Sequence, residues 1–511
     1  MAYLPITAAM YRRMVPQEGA WCQTRGRFAG EAGCASGKMP NTCVWDSTPA
    51  EEMMKLAIPF CVLGLMSWAT GALGQGTVGP YKPDWASLDA RPIPQWFTDA
   101  KFGIFIHWGL YSVPAWGPKG SYAEWYWNAM QDHNGPTWKF HERVYGADFP
   151  YSAFAPMFKA ELFDPQQWAD IFARSGARYV VLTSKHHEGF CLWPSAEADR
   201  TWGRPWNSVS TGPHRDLLGD LAKAVRARGL HMGIYYSLYE WFNPLYRSDF
   251  PRYRDEHFFP QFKDVVTRYK PDVIFADGEW EHTSEEWRTP ELLAWLYNES
   301  GCGPDLVVND RWGKETRGKH GGYYTTEYGG ATDFKAKPGH PWEENRGMGA
   351  SYGYNRNEAI DDYRSAADLL HLLVDTVSAG GNLLLDVGPT ADGRIPVVMQ
   401  DRLIQMGRWL QKNGEAVYGA GPSPFFPRKF DWGACTSKPG KLYIHLYRRP
   451  GDVVEVPPVG GRVRGAWFLE DPQHKLRVRT HATGVQISLP QFLPDAAIST
   501  IVLDVEGPKG R

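Results

Sequence analysis

The sequence predicts an α/β protein built as a TIM-like (β/α)8 barrel that is followed by a C-terminal antiparallel β-sandwich. Between about residues 75 and 420, about eight short apolar runs alternate with helical segments or long loops, and this alternation implies parallel strands. Polar residues recur directly after these runs, as is typical of a barrel whose strands all end at one rim. Beyond about residue 420, short segments of alternating polarity indicate antiparallel strands.

The clearest strand end with catalytic character lies in PDVIFADGEWEH, residues 271–282. The apolar run 273–276 leads directly into Asp277. A buried parallel strand that ends in a carboxylate is how barrels of this type place catalytic groups. An ordinary core strand that leaves into an acidic loop would give the same local pattern. Glu279 and Glu281 are rival carboxylates, but we prefer Asp277 because it ends the strand, where its geometry is best defined.

The remaining barrel elements follow in chain order. Apolar and aromatic runs predict strands at 102–106, 179–183, 231–236, 306–308, 322–326 and 382–386. Apolar residues at helical spacing predict helices at 163–175, 216–228, 260–269, 291–298, 359–378 and 397–412. The segment Trp342-Glu343-Glu344 has no apolar run, and we assign it to a loop.

The C-terminal part begins after a cluster of prolines at Pro422, Pro424 and Pro427, which indicates a linker. Period-2 alternation then predicts strands at 441–447, 453–456, 463–469, 484–489 and 498–505. We therefore predict a barrel domain at 75–420 and a β-sandwich at 421–511.

The N-terminal region has two parts. Residues 1–53 show neither apolar periodicity nor helix caps, and we expect disorder there, or a start codon assigned upstream of a natural start near Met53. A positive charge, an apolar run and small residues then give 54–74 the anatomy of a signal peptide, with cleavage before Gln75. A membrane anchor is the alternative, but the run is short and interrupted by a proline and a glycine. We expect a secreted, periplasmic or lysosome-like protein without a stable membrane anchor.

The composition excludes several classes of protein. A formal net charge of -2 and a pI of about 6.7 give no basic excess, so we expect no nucleic-acid partner. Seven cysteines without CxxC or zinc spacing do not form a disulfide scaffold. No GxGxxG follows an early strand, and there is no GxSxG elbow. The 23 Trp, 25 Tyr and 24 Phe supply flat apolar platforms on which the C–H faces of sugars pack.

The predicted rim combines two carboxylates, Asp277 and Glu327, with histidines, an arginine and tryptophans. Such a pair suits glycoside hydrolysis, in which one carboxylate attacks the sugar or activates water and the other protonates the leaving oxygen. His186 and His187 could instead bind a metal, but neighbouring strand residues point to opposite faces and no third ligand has a suitable spacing. We predict neither a metal nor a cofactor. His107 could be an ordinary core histidine, although its place at a strand end favours substrate contact.

Eight stretches in order carry a family resemblance: FGIFIHWGLYSVPAWGPKGSYAEWYWNAM, TSKHHEGFCLW, GIYYSLYEWF, FADGEWE, VVNDRWG, YYTTEY, SYGYNRNE and GGNLLLDVGPTADG. Over about residues 90–420 the chain resembles the α-L-fucosidases of glycoside hydrolase family 29. The resemblance implies a retaining exo-α-L-fucosidase that releases terminal fucose from oligosaccharides or glycoconjugates through a covalent fucosyl-enzyme intermediate. It implies a fucosylated glycan as partner and leaves homo-oligomer formation open.

The resemblance also implies roles for single residues. Asp277 matches the nucleophile of the family, and Glu327 matches the acid/base, with Glu343 and Asp333 as alternatives for the acid/base. The positions that match fucose-binding residues are His107, Glu124, Trp125, His186, His187, Tyr236 and Arg311. Tyr235 adjoins Tyr236, and the choice between the two stays open.

Overall fold

The computed structural model describes residues 80–329 and 339–506 of the chain. The stretch 1–53, the predicted signal peptide at 54–74 and the alternative acid/base Asp333 lie outside these residues. Within the described residues, no helix has the length and apolar character needed to cross a membrane.

Eight parallel strands form one sheet in the described part of the chain. They are β1 Phe102–Ile106, β2 Tyr179–Lys185, β3 His231–Ser237, β4 Val273–Asp277, β5 Val307–Val308, β6 Tyr324–Glu327, β7 Trp342–Gly347 and β8 Asn382–Val387. The order of paired neighbours is β5-β4-β3-β2-β1-β8-β7-β6. The two ends of the sheet meet, because the N–H of Tyr323 donates to the carbonyl of Val308 at 3.0 Å and that of Gly322 to Asn309 at 3.2 Å. The predicted barrel fold class is therefore confirmed.

Helices lie in most of the connections between the parallel strands, whereas turns connect β5 to β6. The α-helices of the described residues are α1 Trp85–Leu88, α2 Gln95–Ala100, α3 Tyr126–Ala129, α4 Pro136–Tyr145, α5 Pro165–Arg174, α6 Ala196–Trp202, α7 Leu217–Ala227, α8 Pro244–Ser248, α9 Phe250–Arg252, α10 Phe259–Tyr269, α11 Ser284–Trp287, α12 Thr289–Asn298, α13 Ala366–Ser378 and α14 Val397–Asn413. Turns of 3-10 helix lie at Leu110–Ser112, Ala123–Trp125, Tyr151–Met157, Ile360–Asp362 and Gly414–Ala416, and π-helix Tyr253–Phe258 joins α9 to α10.

Two apolar clusters separate the inside of the barrel from its helical layer. The inner cluster includes Phe105, Val181, Tyr235, Phe275 and Leu384. The outer cluster joins strand residues such as Ile104, Ile106 and Val180 to helix residues such as Trp168, Phe172 and Leu221. Alternate residues of a strand face the two clusters because side chains alternate along a strand. The inner cluster thereby fills the barrel below the rim at which the strands end.

The prediction of a loop at Trp342-Glu343-Glu344 is wrong, because these residues form the first part of strand β7. All residues of β7 are buried, although most are polar. Glu343 faces the barrel interior and accepts a hydrogen bond from the hydroxyl of Tyr179, while Glu344 on the other face accepts one from Thr326. A strand whose buried side chains are polar contains no apolar run, so hydrophobic patterning does not detect it.

The helix predicted at 359–378 is wrong in its first part. The chain there forms a 3-10 turn and then α13, which starts only after Ser365. The side chain of Ser365 accepts a hydrogen bond from the backbone N–H of Asp368, and the carboxylate of Asp368 accepts one from the backbone N–H of Ser365. This capping box defines the true start of the helix.

The C-terminal part consists of antiparallel strands. They are β9 Gly433–Lys438, β10 Lys441–Leu446, β11 Val453–Val456, β12 Arg462–Phe468, β13 Asp471–Leu476, β14 Val478–His481, β15 Gly484–Ser488 and β16 Ser499–Glu506. One sheet has the order β13-β12-β16-β10-β9 and the other β11-β15-β14. Ile444 and Ile501 of the first sheet share a core with Val454 and Ile487 of the second, which makes the predicted sandwich. Strands β9, β13 and β14 were not predicted, and the last two are largely exposed. The domain boundary at about 420 stays a prediction.

Closure of the barrel between β5 and β6 depends on a glycine. A Cβ atom at Gly322 would lie 1.9 Å from the carbonyl oxygen of Val308. We expect Gly322→Ala to separate the two strands, to cost about 2 kcal/mol or more of stability and to lower the unfolding temperature by several degrees. Gly460→Ala is the matched control, because nothing lies within 4 Å of a Cβ there. Equal unfolding temperatures of the two variants in scanning calorimetry would contradict this account of closure.

Candidate active site

A cavity opens among the carboxyl ends of the parallel strands. Its lining is Phe105, His107, Tyr122, Glu124, Trp125, His186, His187, Tyr235, Phe275, Asp277, Trp280, Arg311, Glu327, Asn345 and Tyr352. Asp277 and Glu327 are the last residues of β4 and β6, and His107 directly follows β1. The ends of parallel strands meet at one rim, so residues that are distant in sequence converge there.

Asp277 has a hydrogen-bond donor at each carboxylate oxygen. Nη1 of Arg311 donates to Oδ1 at 2.9 Å, and the hydroxyl of Tyr235 donates to Oδ2 at 2.9 Å. A second guanidinium, that of Arg317, lies 3.5 Å from Oδ1. Burial by itself raises the pKa of Asp277, but the charges of Arg311 and Arg317 outweigh it and hold the pKa well below the ordinary value of 3.8. Asp277 is therefore an anion at mildly acidic and neutral pH.

The guanidinium of Arg311 connects Asp277 to Glu327. Its other terminal nitrogen, Nη2, lies 3.4 Å from Oε2 of Glu327, and its Nε donates to the hydroxyl of Thr325 at 3.0 Å. The hydroxyl of Tyr122 donates to Oε1 of Glu327 at 3.1 Å. The side chain of Glu327 is 33% exposed and that of Asp277 only 11%, so Glu327 stands nearer the opening. Two carboxylates therefore share one cavity and one cation.

Three buried histidines line the cavity. Nδ1 of His107 lies 2.7 Å from Oδ1 of Asp386, and Nδ1 of His187 lies 2.6 Å from the hydroxyl of Ser237. Burial, together with the neighbouring His186, lowers the pKa of His107 and of His187 well below 6.5. Both rings are thus neutral. His107 can exchange a hydrogen bond with a ligand hydroxyl through its other nitrogen, whereas Nε2 of His187 lies 3.4 Å from the hydroxyl of Tyr235 and 3.6 Å from Oδ2 of Asp277. Among the described residues, no group of three or more His, Cys, Asp and Glu side chains is placed to hold a metal ion.

The long segment after β1 adds a buried acid and an aromatic wall. Oε2 of Glu124 accepts the backbone N–H of Gly353 at 2.8 Å, and burial raises the pKa of Glu124 to about 7. The ring of Trp125 lies 5.7 Å from that of His187 and 5.9 Å from that of Trp280. Hydrogen-bonding groups next to indole rings suit a ligand that has both hydroxyl groups and C–H faces, as sugars do.

Known proteins resemble the chain over most of its length. The family model described as Alpha-L-fucosidase matches residues 72–415. An α-L-fucosidase from Dictyostelium discoideum is 43% identical over 435 residues, which are 81% of this chain and 92% of that protein. The chain belongs to the α-L-fucosidase family. It is therefore a glycoside hydrolase of a family that hydrolyses α-L-fucosides.

Two further relatives agree with this assignment. The tissue α-L-fucosidase of Homo sapiens is 46% identical over 352 residues, 67% of this chain and 72% of that protein. The crystal structure of the Thermotoga maritima α-fucosidase in complex with fucose is similar with a TM-score of 0.72 at 37% identity, and the match covers 83% of this chain and all of that one.

Most of the site residues predicted from the family resemblance lie together. The cavity brings together Asp277, Glu327, His107, Glu124, Trp125, His186, His187 and Arg311. Tyr236 does not reach it. The ring of Tyr236 packs against Phe262, and its hydroxyl donates to Gln261 at 2.7 Å. Tyr235 lines the cavity instead, so the choice of Tyr236 is corrected to Tyr235.

The other carboxylates that were considered from sequence and lie in the described residues do not line the cavity. Glu343 is the second residue of β7 and contacts Tyr179, the first residue of β2, so it lies near the amino ends of the strands. Glu279 is buried beside Arg317, whose Nε donates to it at 2.5 Å. Glu281 accepts a hydrogen bond from Tyr246 at 2.8 Å.

Several residues in or next to the cavity were not among the site residues predicted from sequence. Tyr122, Asn345 and Tyr352 line the cavity, Asp386 supports His107, and Arg317 contacts Asp277. Asp386 lies inside a predicted strand that reads as structural, Asn345 lies in strand β7, which apolar patterning does not detect, and Arg317 lies in a loop without a motif. The stretch GGNLLLDVGPTADG already pointed to the region of Asp386, because it belongs to the family resemblance.

The buried carboxyl group of Glu343 makes the stability of the folded protein depend on pH. Burial raises its pKa from 4.5 to about 8, so the folded protein holds a proton that the unfolded chain releases. This contribution is complete below about pH 4.5 and is lost as the pH rises to about 8, at about 1.4 kcal/mol per pH unit. We expect Glu343→Gln to unfold like the parent at pH 5 and to be the more stable of the two at pH 9. A gap between their unfolding temperatures that is the same at both pH values would contradict the buried neutral acid.

Proposed function

We propose that the protein is a retaining exo-α-L-fucosidase that removes terminal fucose from oligosaccharides or glycoconjugates. The observation that carries the proposal is the contact of one guanidinium, that of Arg311, with both Asp277 and Glu327. A retaining glycosidase needs two carboxyl groups close together, one charged and one able to carry a proton. The small cavity, with its buried lining, suits a single terminal sugar residue.

In the first step, the Asp277 carboxylate attacks the anomeric carbon of fucose. The bond from that carbon to the glycosidic oxygen breaks, and Glu327 gives its proton to the departing oxygen. The fucosyl group is then an ester of Asp277. The hydrogen bond from Tyr235 and the charge of Arg311 stabilise the carboxylate before attack and again when it leaves.

In the second step, Glu327 acts as a base. It removes a proton from a water molecule that attacks the anomeric carbon, the ester bond to Asp277 breaks, and fucose is released with its original α-configuration. The position of Glu327 towards the opening supports this double role, because both the leaving group and the entering water must reach it.

The configuration of the first sugar released tests the mechanism directly. Hydrolysis of an aryl α-L-fucoside, followed by NMR, should give α-L-fucose first. Asp277→Gly should reduce turnover by roughly a thousandfold or more, because it removes the nucleophile. Glu281→Gln is the matched control, since this nearby carboxylate points to Tyr246, and it should keep turnover within a few-fold. Release of β-L-fucose first would show inversion and would remove Asp277 from the role of nucleophile.

The acid/base is tested by changing the leaving group. We expect Glu327→Gln to lower kcat/KM for a fucosyl disaccharide roughly 100-fold or more, because the sugar alkoxide cannot leave without a proton. The loss should be much smaller for an aryl fucoside whose phenol is strongly acidic. Glu343→Gln should change neither rate by more than a few-fold. The opposite pattern, with Glu343→Gln sensitive to the leaving group, would move the role to Glu343.

A further inference from the structure

The opening of the cavity has an exposed aromatic side chain with no structural explanation. Trp280 is 37% exposed, whereas residues deeper in the lining, such as His107, His187 and Arg311, are at most 4% exposed. Trp280 follows Asp277 by three residues, in the segment after β4. An exposed indole in the lining of a cavity is placed to pack against a ligand that enters the cavity.

Packing holds the indole of Trp280 in place from one side. Its ring lies nearly parallel to that of Trp125 at 5.9 Å and 29°, and 4.9 Å from the ring of His187. The centre of the Tyr239 ring lies 6.1 Å from that of Trp280, with the two rings inclined at 61°. Because these neighbours fix the ring, little side-chain entropy is lost when a ligand packs on the remaining surface.

A second aromatic side chain reaches the opening beside the acid/base candidate. The hydroxyl of Tyr122 donates to Glu327, and its ring stacks on that of Tyr328 at 6.2 Å and 26°. Tyr122 and Tyr328 are both partly exposed. The opening is therefore bordered by two preorganised aromatic rings, with the carboxyl group of Glu327 held by one of them.

We propose that Trp280 and Tyr122 form a subsite for the sugar ring to which the fucose is attached. The inference rests on the proposed function, because Glu327 must reach the glycosidic oxygen, and the leaving group then lies at the open end beside Glu327. The occupant is a hexopyranose of a glycan, which packs an apolar C–H face on the indole of Trp280. The fucose itself then lies against the buried part of the cavity lining. This makes Trp280 a determinant of leaving-group specificity.

The test compares two substrates that share fucose and differ in the leaving group. α-L-Fucosyl fluoride has no ring that could contact Trp280, whereas a fucosyl-galactose disaccharide has one. We expect Trp280→Ala to lower kcat/KM for the disaccharide about tenfold or more beyond any loss on the fluoride. Trp280→Phe should recover most of that difference, because it restores an aromatic face. Phe492→Ala, which removes a ring that is 78% exposed in the β-sandwich, is the control and should change neither rate.

Each other outcome has a distinct meaning. Equal losses of Trp280→Ala on both substrates would place the indole against fucose and would overturn the subsite. No loss on either substrate would also overturn it. A parent enzyme that hydrolyses neither substrate would overturn the proposed function and the subsite together. If only the subsite is wrong, the parent enzyme still hydrolyses the fluoride.

Discussion

The buried guanidinium of Arg311 is the interaction on which the site depends. Its side chain is 3% exposed, and an unpaired charge at that depth would cost several kcal/mol. The guanidinium is paired with Asp277 and Glu327. Its Nε donates to the hydroxyl of Thr325, which in turn donates to Asp310 at 2.8 Å. Without a cation between them, two neighbouring carboxylates raise each other's pKa. Arg311 thus lets Asp277 remain charged while Glu327 stays close enough to act on the same bond.

The protein buries its acids in two different ways. Glu240 remains charged, because Lys185 and His257 each lie 2.7 Å from it and, against the effect of burial, hold its pKa well below 4.5. Glu343 has no such cation in hydrogen-bond contact, and burial raises its pKa instead. Asp277 belongs to the first kind, as a nucleophile requires. The Lys185–Glu240 pair also anchors the end of β2, directly before the histidines of the cavity.

Apolar and aromatic runs predicted most of the barrel, namely all of its parallel strands except β7. Such patterning failed at β7, where Glu343 and Asn345 place polar groups in the interior that accept hydrogen bonds from Tyr179 and Tyr352. It also could not decide between Tyr235 and its neighbour. Strand β3 is buried on both faces and carries an aromatic side chain at each of the two positions, so its sequence does not reveal which tyrosine points inward.

The sequence by itself determined the order of strands and helices, the family motifs and the strand ends at which Asp277, Glu327 and the histidines lie, because these depend on local pattern. Only the tertiary structure decided which acids share a cavity. Glu327 ends β6 and meets Asp277 through Arg311, whereas Glu343 lies near the start of β7, close to the opposite end of the barrel. Depth along a strand and contacts across a barrel are properties of the closed sheet, and a linear pattern does not contain them.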